Sequence, residues 1–238
     1  MSNLLESVNI HEVREKLHKS LHGTGWDLAL KNFLISDDML QILNKLLKEA
    51  IDGKRFTPKI ADVFNAFKAC HFDDVKVVII GQDPYPQIDV ANGVAFCCSR
   101  KMRVEKSLEY IHQSIAETVD PGYVGSPDLS SWTKQGVLLL NSALTTTISR
   151  PGTHHLLWKP FIIQVLDALI WNKPGIIYVF LGTKAQEFDA IIPSNNYKIF
   201  VSHPASASYM KMVKWDCKDM WNKINNYLKH DGREPIIW

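Results

Sequence analysis

The chain has 238 residues, 46% hydrophobic and 22% charged, which suits one compact domain with a sizeable core and is ordinary globular usage rather than that of a disordered chain. Lys and Arg number 27 against 25 Asp and Glu, so the net charge of +2 excludes a globally basic surface; a nucleic-acid partner would need a local one. The four cysteines, Cys70, Cys97, Cys98 and Cys217, form no C-x-x-C pair, and the adjacent two cannot make a tetrahedral half-site. Zinc and iron–sulfur chemistry are therefore disfavoured, and reduced thiols in an intracellular compartment are expected. Met1 to Glu6 show no basic region leading into an apolar run, and no uninterrupted apolar stretch is long enough for a bilayer, so neither a signal peptide nor a membrane span is expected.

In chain order, residues 8–21 read as partly helical and carry no motif. Ser36-Asp37-Asp38 then opens a helix that buries one face through Leu40, Ile42, Leu43, Leu46 and Leu47 and stops near Gly53. Four short, nearly continuous apolar runs follow, at residues 75–80, 136–140, 176–181 and 197–201, as expected for strands covered on both faces. Helical patterns at 106–118, 160–171 and 185–191 lie between them, and residues 121–128, with two prolines and two glycines, read as a loop. Strand–helix alternation predicts a single α/β domain with a central four-stranded, mainly parallel sheet flanked by helices.

Ligands of such sheets gather beyond the carboxyl ends of the strands. The first run is followed by Gly81-Gln82-Asp83-Pro84-Tyr85, the second by Asn141-Ser142, the third by Gly182-Thr183 and the fourth by Ser202-His203-Pro204. Taken singly, Asp-Pro is turn chemistry, Asn a cap and His a satisfied structural residue. Their convergence on one sheet edge is what marks Asp83, Asn141 and His203 as a candidate site.

The Gly81-Gln82-Asp83-Pro84-Tyr85 pentad resembles the water-activating loop of family-1 uracil-DNA glycosylases, and further motifs follow in the family's order from about residue 56 to 238. Ala91-Asn92-Gly93-Val94-Ala95-Phe96 is similar to the segment that supplies a uracil-stacking phenylalanine. Lys106-Ser107-Leu108 stands where the family has a phosphate-gripping loop. Trp132 to Asn141 resembles the base-reading strand, Leu181 to Gln186 the next DNA-contacting turn, and His203-Pro204 the last motif.

The resemblance implies a three-layer α/β/α fold over residues 1–238, with 1–55 an N-terminal helical part and 56–238 the catalytic core. It implies excision of uracil from single- and double-stranded DNA by base flipping and hydrolysis of the N-glycosidic bond. No metal or other cofactor is implied. Asp83 and His203 would be catalytic, and Gln82, Tyr85, Phe96 and Asn141 would bind the base. Lys106, Ser107, Gly182, Thr183, Ser206, Ala207 and Ser208 would contact DNA. Independently, the clusters Arg100, Lys101, Arg103 and Lys211, Lys214, Lys218 flank these loops and read as a local basic rim or else a solvated charged face. A monomer is expected, in cytoplasm, nucleus or a viral replication site, open to a proteinaceous inhibitor or a replication partner.

Two departures stand out. Pro86 replaces the family's histidine, as in the poxvirus-type branch, and Ala207 stands where a leucine wedge would fill the hole left by the flipped base. They give weight to an alternative, a catalytically weak or inactive DNA-binding scaffold or processivity protein of glycosylase descent. Retained Asp83, Asn141 and His203 argue against it. An enzyme of free nucleotides would want a Gly-rich phosphate loop, and neither G-x-G-x-x-G nor a Walker A pattern is present.

Overall fold

A computed structural model describes residues 8–98 and 104–238. Its centre is a sheet of β1 (Val77–Gly81), β2 (Val137–Asn141), β3 (Ile177–Leu181) and β4 (Tyr197–Val201), in spatial order β2-β1-β3-β4 with every neighbouring pair parallel. The runs read from sequence are these strands to within one or two residues.

Side chains alternate across the pleat, and in β1, β2 and β3 both sets are apolar and buried, which is why those runs are continuous. β4 instead has one partly exposed face, at Lys198 and Phe200. Val78, Ile80, Leu138, Leu140, Tyr178 and Phe180 enter one core, while Val77, Ile79, Val137, Leu139, Ile177 and Val179 enter the other. Each such burial contributes roughly 1.5–3 kcal/mol, so a slip of register would be heavily penalised.

The main helices are α1 (Ile10–Lys19), α2 (Asp37–Ile51), α3 (Lys106–Thr118), α4 (His155–Asn172), α5 (Pro204–Tyr209) and α6 (Met220–His230). The first core is closed by Leu17 of α1, Leu43 and Leu46 of α2, and Phe161, Val165 and Leu169 of α4. Leu108, Ile111 and Ile115 of α3, with Trp221, Ile224 and Leu228 of α6, close the second. The N-terminal helices thus share a core with the sheet. The Ser36 hydroxyl starts α2 by accepting from the Met39 amide at 3.4 Å.

Two helices differ from the sequence reading. α4 begins at His155 and carries Pro160 inside it, forgoing one hydrogen bond to the carbonyl of Leu156, whose side chain is exposed. The pattern at 185–191 resolves into a four-residue helix, Thr183–Gln186, and a separate 3-10 turn, Asp189–Ile191. Pieces so short are held by packing rather than by helix propensity.

A neighbouring segment bonds to one outer strand, and a side chain of the other is tied down. Beside β2, the Ala95 amide donates to the Leu139 carbonyl at 3.2 Å. Beside β4, Lys198 Nζ donates to Asp189 Oδ1 and to the Ile192 carbonyl, each at 2.7 Å. The first of these contacts also carries the chain bearing Phe96 to the end of the sheet.

Candidate active site

The carboxyl ends of β1, β2 and β4 open onto a cavity of about 400 Å³ whose lining includes Gln82, Asp83, Tyr85, Phe96, Asn141 and His203. Backbone bonds stitch its floor: Ser142 N donates to the Gly81 carbonyl and Ala143 N to that of Gln82, each at 3.1 Å. Gly81 and Asn141 are register partners, and a Cβ at Gly81 would lie 2.9 Å from both Asn141 Oδ1 and Phe96 Cζ. A side chain at 81 would therefore push the amide and the ring out of place.

Phe96 holds a left-handed backbone, φ 66°, which costs a bulky residue of order 1–3 kcal/mol. Neighbouring bonds impose that conformation: the Tyr85 hydroxyl donates to the Phe96 carbonyl at 3.1 Å, and the preceding residue is fastened to β2. The Phe96 ring lies 5.8 Å from the His203 ring, tilted by 35°. Burial pushes the Tyr85 phenol well above its ordinary range, so it remains a neutral donor.

Asp83 has two unlike oxygens. Oδ2 accepts from Gln82 Nε2 at 2.8 Å and from the Gly152 amide at 3.0 Å, while Oδ1 is buried without a protein partner. Burial raises the carboxyl above its ordinary value, outweighing those two bonds and the positive influence of His155 and His154. At His203, Nδ1 accepts from the Ala205 amide at 3.2 Å. In the neutral ring that leaves the proton on Nε2. Burial lowers this imidazole to about 4, so it is neutral at ordinary pH. Gly182, at φ 87°, lets His203 come close: a Cβ there would lie 2.9 Å from the His203 Cβ.

Lys106 and Ser107 line the cavity from the first turn of α3, Lys106 being exposed and 2.6 Å from Glu109. Ser208 also lines it, whereas Gly182, Thr183, Ser206 and Ala207 do not. Ala207 is 1% exposed, packed into the core beneath α5, so its methyl faces no ligand. Lys211, Lys214 and Lys218 are exposed; Arg100, Lys101 and Arg103 lie outside the described residues.

Other residues escaped the sequence reading. Pro151 lines the cavity and Gly152 donates to Asp83; a Pro-Gly turn was visible there, but its long-range partner was not. Tyr209 lines the mouth while 82% exposed, followed by Met210 at 65% and Val213 at 90%. This apolar tip stands on a fixed backbone: the Tyr110 hydroxyl donates to the Met212 carbonyl at 2.8 Å, and Trp215 Nε1 to that of Ser202 at 3.1 Å. Cys97 lines the cavity too, but burial pushes its thiol up to about 12, which leaves it a poor nucleophile.

Residues 67–229 match the family described as the uracil DNA glycosylase superfamily. A uracil-DNA glycosylase of Acinetobacter baumannii is 33% identical over 94% of this chain and 95% of its own length. One of Neisseria gonorrhoeae is 34% identical over 83% and 91%. Among solved structures, mimivirus uracil-DNA glycosylase superposes with a TM-score of 0.83 at 26% identity, over 97% of this chain and 89% of that one. A substituted mimivirus enzyme in complex with UGI gives 0.83 at 27% identity, over 97% and 91%.

Proposed function

Because the chain belongs to the uracil DNA glycosylase superfamily and excises uracil from DNA, we propose that Asp83, Asn141, Phe96, Tyr85 and His203 divide the work of binding and cleavage. The observation that carries this reading is their convergence on one cavity with His203 held neutral. A base stacked in a duplex is out of reach, so the target nucleotide is extruded at a cost of about a few kcal/mol. Phe96 stacks on the extruded ring, worth about 1–3 kcal/mol in comparable sites. The Asn141 amide donates to uracil O4 and accepts from N3–H. Cytosine puts an amino group where O4 would be, and a buried donor facing a donor costs about 1–3 kcal/mol. Tyr85, held by its bond to Phe96, stands against C5 and excludes the thymine methyl by overlap.

Cleavage builds positive charge on the deoxyribose and negative charge on the leaving uracil. The Asp83 carboxylate stabilises the first, and its unpartnered Oδ1 orients or deprotonates the attacking water. His203 Nε2–H donates to uracil O2 as that oxygen becomes anionic, and a neutral imidazole can do so without giving up a proton. Groups already aimed at charge that appears only in the transition state supply the largest catalytic effect.

Lys106 and Ser107 at the start of α3 suit a flanking phosphate, where helix amides and a cation reinforce each other. Tyr209, rather than the buried Ala207, fills the gap left in the stack. A protein inhibitor is a candidate partner, since a substituted mimivirus relative is in complex with UGI. The enzyme works wherever its DNA is handled, in nucleus, cytoplasm or a viral replication site.

The test is release of base from labelled oligonucleotides carrying one uracil, single-stranded or opposite A or G, with thymine and cytosine controls and alkali to reveal abasic sites. Rapid uracil-specific release that a chelator leaves unchanged is the expected result. Binding without release on every substrate would overturn it in favour of a scaffold.

A further inference from the structure

Behind the cavity floor runs a chain of polar side chains that the reaction as described does not use. The Ser142 hydroxyl donates to the Gln82 carbonyl at 2.9 Å and lies 3.4 Å from His155 Nδ1. His155 Nε2 is 2.9 Å from Glu187 Oε2. Lys184 Nζ meets Glu187 Oε1 at 2.9 Å, and Lys159 Nζ meets Oε2 at 3.2 Å. His155 is 3% exposed and Ser142 fully buried, so this is interior polarity that packing alone does not require.

The Ser142 hydroxyl donates to the Gln82 carbonyl, and His155 lies between that hydroxyl, 3.4 Å from Nδ1, and the Glu187 carboxylate, which accepts from Nε2. Bonds to His155 and Lys184 hold the Glu187 carboxyl down to about 2, so it stays ionised as the acceptor at the outer end of the chain. The acceptor at the far end belongs to the peptide unit joining Gln82 to Asp83, which also takes the Ala143 amide at 3.1 Å. Fixing that plane fixes where the Asp83 side chain starts. The outer end, Lys184 and Glu187, adjoins the turn after β3.

We infer that Ser142, His155 and Glu187 form a series of positioning residues that aim the Asp83 carboxylate through the Gln82 carbonyl. None of the three lines the cavity. The inference rests on the role proposed for Asp83. Misplacement of a reacting group by about 1 Å can cost about a hundredfold in rate, so a partial loosening should cost about tenfold.

The experiment measures kcat and KM on a single-stranded uracil oligonucleotide for wild type, Ser142→Ala, Ser142→Thr, Glu187→Gln, the Ser142→Ala/Glu187→Gln double variant, and Asp83→Asn, with a thermal melt of each. Expected are a kcat about tenfold lower with KM unchanged in Ser142→Ala and Glu187→Gln, and recovery in Ser142→Thr, which keeps the hydroxyl. Because the residues act in series, the double variant should be no slower than Ser142→Ala. Losses that multiply in the double variant, or wild-type kcat in Ser142→Ala, overturn the relay. Should Glu187→Gln fail to fold, the Ser142 pair alone decides, since alanine and threonine differ at the donor in question. A wild-type rate in Asp83→Asn would instead sink the reading of Asp83, a failure distinguishable from that of the relay.

Discussion

Asp83, Asn141 and His203 sit on the last residue of a parallel strand or within two residues of one, whereas Tyr209 ends a six-residue helix, Met210 and Val213 follow it, and all three face solvent. The first group is fixed by the sheet: shifting any of them means shifting a register that several buried side chains enforce. The second group is fixed by a few loop bonds, and its side chains are free to vary while the backbone holds its place. On the proposed reading, chemistry falls to the group held by the sheet and grip on the duplex to the exposed one. The expected wedge position, Ala207, belongs to neither group: it is buried in the core.

The sharpest way to break this comparison is at the floor. Asp83→Asn should lower turnover by about 10²- to 10⁴-fold while leaving binding of a uracil oligonucleotide intact, read by single-turnover kinetics and a filter-binding titration. Selectivity comes next: Tyr85→Ala should release thymine at a measurable rate, and strict uracil selectivity in that variant would move the methyl filter elsewhere. At the rim, Tyr209→Ala should slow release from duplex DNA about tenfold, consistent with loss of one aromatic contact, and leave single-stranded substrate nearly untouched. Equal losses on both substrates would return Tyr209 to the floor's side of the comparison.

The smallest effect is in pH. His203 is lowered from 6.5 to about 4, so kcat/KM should pass 6.5 without an inflection. It should fall where Asp83 takes up its proton, above 3.8, and where His203 does, at about 4. For stability the sign is set by the unfolded chain, whose His203 binds a proton first. The contribution is fully present above 6.5 and is lost as pH falls toward 4. A melting series should show that slope, and His203→Asn should remove it.

The strands were legible because residues such as Val77-Val78-Ile79-Ile80 are apolar on both faces of the pleat, a pattern that suits a strand covered on both sides and not a helix with one wet face. Asp83, Asn141 and His203 were legible because they follow such runs directly. Gly152 was not: its part is played by a backbone amide, and no side chain advertises it. Nor was the burial of Ala207, which depends on α5 packing against α3 rather than on local pattern. His155 and Glu187 meet across 32 positions on different elements, and only the folded chain shows them as a pair.

The strand ends that build the cavity are far apart in sequence, with Asp83 and His203 lying on opposite sides of β2 and β3 in the chain. Parallel strands pair late in folding because long loops must close first. Uracil cleavage is therefore expected to appear during refolding only once the last parallel strand has paired. Recovery of uracil cleavage during refolding would then serve as a clock for the completed molecule, whereas helix signals, arising from local contacts, would run ahead of it.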